Sequence, residues 1–560
     1  MRALTPLAVS DAGPTAIAPA ATERTRLDRF ELGLLAAFGV VSMWVVAVDV
    51  WHAASHGLVW TGTDGFFIVD QMQYLAWIQS AAHHFLISNL FVLRPTPADY
   101  FQPAIVISGA LAVVGVAPWL ALLLWKPVAV IALFSAVRAV VHRSFADRSQ
   151  RRAAMTLALF FGSFSIVSGS FGIVGDMMPT WLSWGYPFGL LAVALIVFGL
   201  VRYDRARLEA RVDWIPGLLG AIASSLHPWQ GETMILLILG GELLHWRDLR
   251  QWAQTAQWRR LALPALTVAI TALPLVYYLL LGDLDISWTL ARQASRHAFA
   301  FSGIAIGAAP LALVAALGYR GRPQSFLELS LRLWVPVALI IYVVSASGLS
   351  ATPLHAFNGI TIPLAVLAVA GVGRLGRPST PRGRLVAAAV IALGVLPANL
   401  YLLATAHQFV DPTPGNANFI THDERAALRY LASNPVTGGV LTQFYLGETV
   451  PAATARRTFV GDCLWSEPNC MPRSIAADGL FTGTDSRAAA RQFVTQTGAR
   501  FILESCASED VNLEPKLGSL IVSVRRFGCA TVYELRPPTP AGGPLAELPD
   551  NAVVRAPWRQ

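Results

Sequence analysis

Long apolar runs separated by short arginine-rich connections fill the first 405 residues, and this alternation limits what the chain can fold into. A bilayer core of about 30 Å requires about 20 apolar residues for each helix that crosses it. With 54% hydrophobic and 14% charged residues, the composition is that of a polytopic membrane protein. We therefore predict an α-helical membrane protein with about eleven transmembrane helices. The apolar runs lie at 31–50, 104–141, 154–174, 187–202, 214–246, 261–281, 299–318, 332–349, 353–372 and 385–405.

The arginine residues predict the orientation of these helices. Cytoplasmic loops of membrane proteins carry an excess of Lys and Arg, which makes the following connections cytoplasmic: 24–29, 138–152, 202–211, 247–260, 320–332 and 374–384. The N-terminus is then cytoplasmic, whereas 51–103 and everything after residue 405 are extracytoplasmic. Nearly all the positive charge is Arg, since Lys occurs only at positions 126 and 516, and this bias indicates a GC-rich bacterial genome. Because the Arg residues lie in short connections between apolar runs, the net charge of +8 is a signal of membrane topology. We expect a multi-pass protein of the bacterial plasma membrane with no nucleic-acid partner.

Two apolar runs are too long for a single helix. The run 214–246 begins and ends beside basic connections, so we predict a hairpin that turns at His227 and Pro228. The run 104–141 is interrupted at 115–118 by Gly and Pro, and the topology requires an odd number of crossings there. A re-entrant or surface-lying piece at its start satisfies both conditions.

The composition becomes that of an ordinary soluble domain after about residue 415. We predict a small extracytoplasmic α/β domain, because a capping-box pattern at Thr421 precedes a helix and short apolar strands follow. The expected elements are strands at 439–443 and 501–504, a helix at 486–497 and a terminal hairpin at 520–535. The predicted organisation is a disordered cytoplasmic tail (1–29), a transmembrane domain (30–405), this α/β domain (415–536) and a flexible tail (537–560).

All four cysteines lie in the predicted extracytoplasmic domain: Cys463, Cys470, Cys506 and Cys529. An even number of cysteines in an oxidising compartment indicates disulfides. The close spacing of the first two suggests a local bridge, which leaves the other two to pair, although four cysteines allow three pairings. A metal site is the weaker interpretation, since the segment has no CxxC pair.

The polar segment 61–89 in the first external loop is the strongest candidate for chemistry. Asp70 is predicted at the start of a helix that lies along the membrane, with Tyr74 one turn further on the same face. A carboxylate there could take a proton from a hydroxyl group or hold a divalent cation such as Mg²⁺ or Mn²⁺, and the alternative is a helix cap without chemistry. His83 and His84 could contact a phosphate or a metal, but neighbouring helix residues point about 100° apart, which favours a surface role for one of them.

Further candidates are polar residues in the other external segments. His227, Trp229 and Glu232 lie in the predicted hairpin turn, where ionisable groups are costly and often functional, although an interfacial turn explains them equally well. Arg292 and Arg296 share a predicted helix face and could hold a phosphate, unless that helix only contacts lipid headgroups. Two weaker candidates are Asp176, within an aromatic belt, and His355, at the mouth of a late helix.

Several of these stretches together resemble a known superfamily. They are the pattern DxxxYLAxIxxA from Asp70, the segment FQPAIVISGALAVVG, the His227-Pro228 turn and the C-terminal VPAATARRTFVGD. In this order they resemble bacterial membrane glycosyltransferases of the GT-C superfamily, relatives of the protein O-mannosyltransferases and the aminoarabinose transferases. The resemblance covers nearly the whole chain in architecture.

The resemblance implies a polyprenyl-phosphate-linked sugar as donor and a glycan, lipid or protein as acceptor at the extracytoplasmic face. It implies that Asp70 acts as general base or metal ligand. Gln71 stands where relatives usually have a second acid, which leaves Asp64 as a possible second acid and metal dependence open. Arg292 or Arg296 would assist the departing phosphate. The C-terminal domain would bind the acceptor or contribute to assembly, with 450–461 nearest the membrane domain.

Two other classes of protein fit the same features. A transporter or flippase for lipid-linked sugars is also polytopic, but the chain shows no internal repeat and its main polar cluster lies in an external loop. A non-catalytic scaffold for envelope assembly would tolerate the loss of Asp70, whereas an enzyme would not.

Overall fold

The computed structural model describes residues 26–65, 67–162, 164, 177–245, 250, 258–295, 301–348, 351–375, 380–406, 410–508 and 511–537. Eight of the described helical segments are long and apolar enough to cross a membrane. They are Arg29–Ser55, Pro118–Ser144, Pro187–Leu208, Leu261–Leu284, Ser302–Tyr319, Phe326–Ala346, Pro353–Leu375 and Pro381–Thr405. The chain is thus a polytopic helical membrane protein with a small C-terminal sheet domain, as predicted.

The helices of the membrane part are numbered here over the described residues. They are α1 (Arg29–Ser55), α2 (Ile68–His84), α3 (Pro103–Val113), α4 (Pro118–Leu123), α5 (Trp125–Ser144), α6 (Arg148–Phe160), α7 (Pro179–Gly185), α8 (Pro187–Leu208), α9 (Ile215–Leu226), α10 (Pro228–Leu244), α11 (Trp258–Leu284), α12 (Ile286–Ala294), α13 (Phe301–Ala316), α14 (Phe326–Ala346), α15 (Thr361–Leu375) and α16 (Pro381–Thr405). Short strands lie in the segment 51–103, which keeps the name first external loop from the predicted topology: β1 (Val59–Trp60), β2 (Ile87–Ser88) and β3 (Ala98–Tyr100).

Eight described helices are long enough to cross a membrane singly, compared with about eleven predicted for the whole chain, and two apolar runs show how shorter helices affect this number. The run 214–246 forms the expected hairpin, but its arms α9 and α10 have only 12 and 17 residues. The run 104–141 breaks between α3 and α4, where Gly115 has a φ of 96°. An 11-residue helix such as α3 reaches only about 16 Å, which is too short to cross a bilayer alone.

Apolar side chains cover the outside of the last long helix. In α16, Leu385, Val386, Val390 and Leu393 are each more than half exposed. Such a surface would be an aggregation liability in water, whereas lipid chains solvate it at no cost.

Acidic residues pair with the basic connections at the opposite end of the helices from the external loop. Glu31 of α1 contacts Arg138 and His142 of α5, and Asp204 of α8 contacts Arg143. The basic connections therefore contribute to tertiary packing.

The C-terminal domain contains β4 (Phe419–Ile420), α17 (His422–Ser433), β5 (Val440–Leu441), α18 (Phe444–Thr454), α19 (Cys470–Phe481), α20 (Arg487–Thr497), β6 (Phe501–Glu504), α21 (Leu513–Leu517), β7 (Ile521–Phe527) and β8 (Ala530–Leu535). Its sheet has the order β5-β6-β8-β7, with β5 and β6 parallel and the other pairs antiparallel. The predicted capping box at Thr421, the strand at 501–504 and the terminal hairpin are confirmed. The tails 1–25 and 538–560 lie outside the described residues.

Both predicted disulfides are confirmed. Cys463 is bonded to Cys470 and Cys506 to Cys529, and the described residues include no free cysteine. The first bridge closes a short loop before α19, and the second joins the segment after β6 to the β7–β8 turn.

The first external loop packs against the C-terminal domain through backbone hydrogen bonds. β1 pairs with β4, so that Val59 lies opposite Ile420. Further along, the backbone N–H of Thr458 donates to Leu90 O at 2.9 Å, and the Ser466 hydroxyl donates to Phe91 O at 3.0 Å.

Arg457 holds the following part of the loop. Its Nη1 donates to Asn89 O at 2.6 Å, to Arg94 O at 3.1 Å and to Thr96 Oγ1 at 2.9 Å. A guanidinium that satisfies several carbonyl groups is well suited to fix a segment with little regular structure.

Replacing Arg457 with Ala should release residues 89–97 from the C-terminal domain. Loss of these hydrogen bonds should lower the local opening free energy by about 2 kcal/mol, so that these amides exchange about 30-fold faster. Hydrogen exchange read by mass spectrometry measures this. Arg525→Ala, at an exposed position of β7, should leave the same amides unchanged, and equal exchange in all three proteins would contradict the proposed role of Arg457.

Candidate active site

Asp70 lies in the first turn of α2, and the structure shows how the chain enters that helix. The residue before α2, Phe67, has a left-handed φ of 50° and provides no side-chain cap. Asp70 is therefore not the N-cap. As the acid in the first turn, it lies where the helix dipole stabilises a negative charge. Tyr74 follows one turn later and packs its ring against Phe188 at a centroid distance of 5.1 Å.

Two carboxyl groups of the C-terminal domain approach Asp70. Glu448 of α18 is 5% exposed, and Asp462, in the loop that follows, is 3% exposed. Their backbones can lie close together because glycine precedes each of them. A Cβ on Gly461 would lie 2.6 Å from Gly447 O and 3.0 Å from Glu448 N. The two acids are thus neighbours at the face of the domain that covers α2.

The packing of α18 on α2 completes this arrangement. Gln79 of α2 donates from Nε2 to Ala452 O of α18 at 3.1 Å. Glu448 is one turn before Ala452, on the side of Asp70. Ala452, which accepts this hydrogen bond, belongs to the segment 450–461 that was expected nearest to the membrane domain.

Burial and like charges together raise the pKa of both acids. Burial raises the pKa of the Glu448 carboxyl well above its usual value, and Asp462 and Asp70 raise it further. Burial also raises the pKa of Asp462, with Asp70 adding to the effect and the N–H groups of Leu464 and Trp465 opposing it. Among the described residues, no lysine or arginine forms an ion pair with either group. The two acids favour a bound proton or another positive charge.

Tyr74 belongs to the same electrostatic unit. Its burial raises the pKa of its hydroxyl, and the nearby Asp70 and Tyr100 raise it further. The phenol therefore stays neutral and can donate a hydrogen bond towards a carboxylate or a ligand.

Aromatic rings form one wall beside these acids. Trp465 of the C-terminal domain contacts Trp77 of α2 at 5.4 Å and Trp288 of α12 at 4.8 Å between ring centroids. Tyr100 of β3 contacts Trp77 at 4.9 Å and Trp288 at 4.4 Å. Loop, membrane part and C-terminal domain each contribute a ring, so the wall forms only in the assembled chain.

Asp64 occupies a different environment from Asp70. Its carboxylate is fully buried, forms an ion pair with Lys126 of α5 and accepts a hydrogen bond from Gln71. Lys126 also donates to Trp184 O at 2.7 Å. Asp49 of α1, which is also buried, accepts from Asn418 Nδ2 at 2.7 Å, and Asn418 accepts from Thr63. These contacts give Asp64 a role in fixing the loop.

His227 and His355 come together although 128 positions separate them in the sequence. Their rings lie 4.6 Å apart, and Trp229 lies 4.7 Å from His227 and 4.6 Å from His355. Tyr186 lies 5.8 Å from His355 and 4.4 Å from Phe67, at the start of α2. A continuous row of rings therefore connects this cluster with the N-terminal end of α2, where Asp70 lies.

The remaining predicted residues lie apart from these clusters or outside the described chain. His83 and His84 are exposed at the C-terminal end of α2, about 20 Å along the helix from Asp70. Arg292 forms an ion pair with Asp283 at 3.1 Å, and Glu232 is partly buried in α10. Asp176 and Arg296 lie outside the described residues.

Sequence reasoning missed Glu448 and Asp462. The available signal was a Gly-acid pair, Gly447-Glu448 and Gly461-Asp462, within otherwise apolar or neutral stretches of the C-terminal domain. No pattern links them to Asp70 across almost 380 residues, because only the tertiary fold places them together.

A direct metal site needs at least three ligand atoms close to one another. Within the described ranges, the only three His, Cys, Asp or Glu residues with ligand atoms within 4.8 Å of one another are Asp423, Cys506 and Cys529. Their two cysteines are used in a disulfide. Asp70, Glu448 and Asp462 thus do not converge on one ion, and a cation between them would keep water ligands, as Mg²⁺ commonly does.

The raised pKa values of Glu448 and Asp462 predict a pH-dependent interface. The pKa of such a carboxyl group is higher in the folded than in the unfolded protein, so the group stabilises the fold at low pH. This contribution is complete below the unfolded pKa, which is about 4.5 for Glu448. It is lost as the pH rises through the pKa of the folded protein. We therefore expect the hydrogen exchange of the α18 amides, after division by the intrinsic exchange rate at each pH, to accelerate as the pH rises from about 5 to 8. The double variant Glu448→Gln/Asp462→Asn should flatten this dependence, and an unchanged profile would contradict it.

Replacing Lys126 with Met should destabilise the membrane part strongly. The change leaves the buried charge of Asp64 without its partner, which costs about 3–5 kcal/mol, and a second change, Asp64→Asn, should recover much of that loss. Thermal unfolding of the purified protein in detergent measures both effects. Lys516→Met, which removes the other lysine of the chain, is the matched control and should cost about 1 kcal/mol or less. Equal losses for both lysines would rule out a special role for the Asp64 ion pair.

Comparisons with known proteins agree with this architecture. No protein-family model and no curated protein sequence matches the chain. The apo crystal structure of the oligosaccharyltransferase of Archaeoglobus fulgidus is similar, with a TM-score of 0.50 and 12% identity over 92% of this chain and 75% of that chain. Two further structures of that enzyme match with TM-scores of 0.50, over 85% of this chain and 69% of theirs. One is a complex with an inhibitory peptide and a dolichol-phosphate, at 12% identity, and the other carries a tethered acceptor peptide, at 13%. The chain therefore shares the overall fold of this archaeal oligosaccharyltransferase.

Proposed function

We propose that this protein is a glycosyltransferase that moves a sugar from a polyprenyl-phosphate-linked donor to a cell-envelope acceptor on the extracytoplasmic face. The observation that carries the proposal is the position of Asp70, in the first turn of α2 and facing Glu448 and Asp462 of the covering domain. Functional sites commonly contain acids that burial and like charges perturb. The GT-C fold supports the same class of reaction.

Asp70 is proposed as the general base. Its carboxylate takes the proton of an acceptor hydroxyl while the acceptor oxygen bonds to the anomeric carbon of the donor sugar. The bond between that carbon and the phosphate oxygen breaks, and the electron pair leaves with the lipid phosphate. Partial exposure leaves Asp70 accessible to the acceptor, unlike the fully buried and ion-paired Asp64.

Glu448 and Asp462 are proposed to bind the reacting sugars. Because burial and mutual repulsion favour their protonated forms, they can both donate and accept hydrogen bonds with sugar hydroxyls. The neighbouring aromatic wall of Trp77, Trp288 and Trp465 offers ring faces of the kind that pack against sugar rings.

The cluster of His227, Trp229 and His355 is proposed to hold the phosphate of the lipid carrier. It lies at the turn of the α9–α10 hairpin, and Tyr186 connects it to the start of α2. Imidazole groups can donate hydrogen bonds to a phosphate and stabilise the charge that develops on it. The neighbour solved with a dolichol-phosphate supports a lipid-phosphate ligand in this fold.

Replacing Asp70 with Asn should abolish transfer and leave the fold intact. Removal of a general base lowers the rate by about 10²–10⁴-fold, while an amide of the same shape preserves packing. The assay follows release of polyprenyl phosphate from radiolabelled hexosyl and pentosyl donors by the purified protein in nanodiscs, with envelope extract as acceptor. Glu514→Gln, which removes a surface carboxylate paired with Arg526, is the control and should keep wild-type turnover.

Two outcomes would overturn the proposed function. If the Asp70→Asn variant turned over the donor at the wild-type rate, Asp70 would not be the base. If the wild type moved lipid-linked sugars across a bilayer without cleaving them, the protein would be a flippase. Omission of divalent cations from the same assay, with chelator present, tests metal dependence.

A further inference from the structure

Arg94 is an unusual arginine in this structure. Its Nε and Nη2 atoms are buried, and neither has a hydrogen-bond partner. In six other described arginines only the buried Nε atom has no hydrogen bond, and the guanidinium group of each contacts an acidic residue or a histidine. These six are Arg138, Arg151, Arg152, Arg211, Arg292 and Arg332. Among the described residues, no acidic group pairs with Arg94. An arginine without an acceptor for its buried N–H groups is costly unless a ligand supplies one.

A second arginine lies beside it. Arg473 of α19 donates from Nη1 to Ser466 O at 3.4 Å and lies over the ring of Phe459 at 5.6 Å. Ser466 in turn donates from its hydroxyl to Phe91 O, three residues before Arg94. Burial lowers the pKa of the Arg473 guanidinium, and the positive charge of Arg94 lowers it further. The two cations therefore lie close enough to repel each other.

The surroundings do not neutralise this pair. Glu467 is the acid that acts on Arg473, and one carboxylate cannot neutralise two guanidinium groups. The third nearby cation, Arg457, directs its N–H groups to the carbonyls of Asn89 and Arg94. A net positive charge remains at the contact between the first external loop and the C-terminal domain.

We propose that Arg94 and Arg473 form a binding site for an oxyanion, a phosphate or carboxylate group carried by the acceptor. Arginine presents parallel N–H groups that match these anions, and two adjacent guanidinium groups lose their mutual repulsion when an anion lies between them. The Nε and Nη2 atoms of Arg94 are buried, which fits one inserted anionic group better than contact with a lipid surface.

The site connects directly to the proposed active site. The loop from Asp462 to Ser466 carries an acid of the active site at one end and the contact with Arg473 at the other. The disulfide between Cys463 and Cys470 closes this loop. An acceptor whose hydroxyl lies at Asp70 could therefore place an anionic group at the arginine pair. This assignment of the acceptor class rests on the proposed function, whereas anion binding does not.

The first test measures anion binding without catalysis. The purified full chain in neutral phosphatidylcholine nanodiscs is heated in inorganic phosphate or in chloride at equal ionic strength. Phosphate should raise the Tm of the wild type by about 2 °C or more. Arg94→Gln/Arg473→Gln should lose this shift, Arg94→Lys should keep part of it, and Arg525→Gln, at an exposed arginine, should keep all of it.

Three results would overturn the proposal. The first is that phosphate does not raise the Tm of the wild type. The second is that phosphate raises the Tm of the Arg94→Gln/Arg473→Gln variant by the same amount. The third is that the shift in Tm occurs only when the nanodiscs contain anionic lipid, which would indicate a membrane contact. The Asp70→Asn variant should retain the phosphate shift, so that loss of catalysis and loss of anion binding can be told apart.

The second test addresses the acceptor. With an active preparation, Arg94→Gln should raise the KM for an anionic acceptor about 10-fold and leave kcat and the KM for a neutral acceptor unchanged. An equal change for both acceptors would restrict these arginines to a structural role.

Discussion

The contact between α2 and the C-terminal domain is the constraint on which the rest of the site depends. Gly447 and Gly461 let two backbone segments approach closely enough that Glu448 and Asp462 become neighbours facing Asp70. A side chain at either glycine would collide with backbone atoms, which cannot move as a flexible side chain can. Arg457 and the β1–β4 pair then keep the first external loop in place.

The same contact explains why two kinds of acid occur in one loop. Asp64 is buried beside Lys126, so its charge is satisfied and holds the loop to α5. Asp70 instead lies near Glu448 and Asp462, and its charge raises the pKa of both carboxyl groups. Two acids only six positions apart therefore have different surroundings, and the difference depends on which neighbours each acid meets in the fold.

The two ends of the loop 462–467 in the C-terminal domain lie near charges of opposite sign. Asp462 faces the acids at α2, whereas Ser466 and Glu467 face Arg94 and Arg473. A disulfide limits the freedom of this loop, so the two sites keep a fixed separation. The proposed sugar-binding acids and the proposed anion site therefore lie on one loop of the domain that covers the external loop.

The sequence by itself determined the membrane class, the hairpin at 214–246, the elements of the C-terminal domain and both disulfides. These features follow from local signals such as apolar run length, the capping box at Thr421 and the spacing of cysteines. It also placed Asp70 and Tyr74 on one helix face. The sequence does not determine the helix lengths within 104–141 and 214–246, because short and broken helices give the same apolar signal as long ones. Only the tertiary structure brought Glu448 and Asp462 to Asp70, and His355 to His227, because contacts between residues hundreds of positions apart arise from packing and leave no periodic trace in the chain.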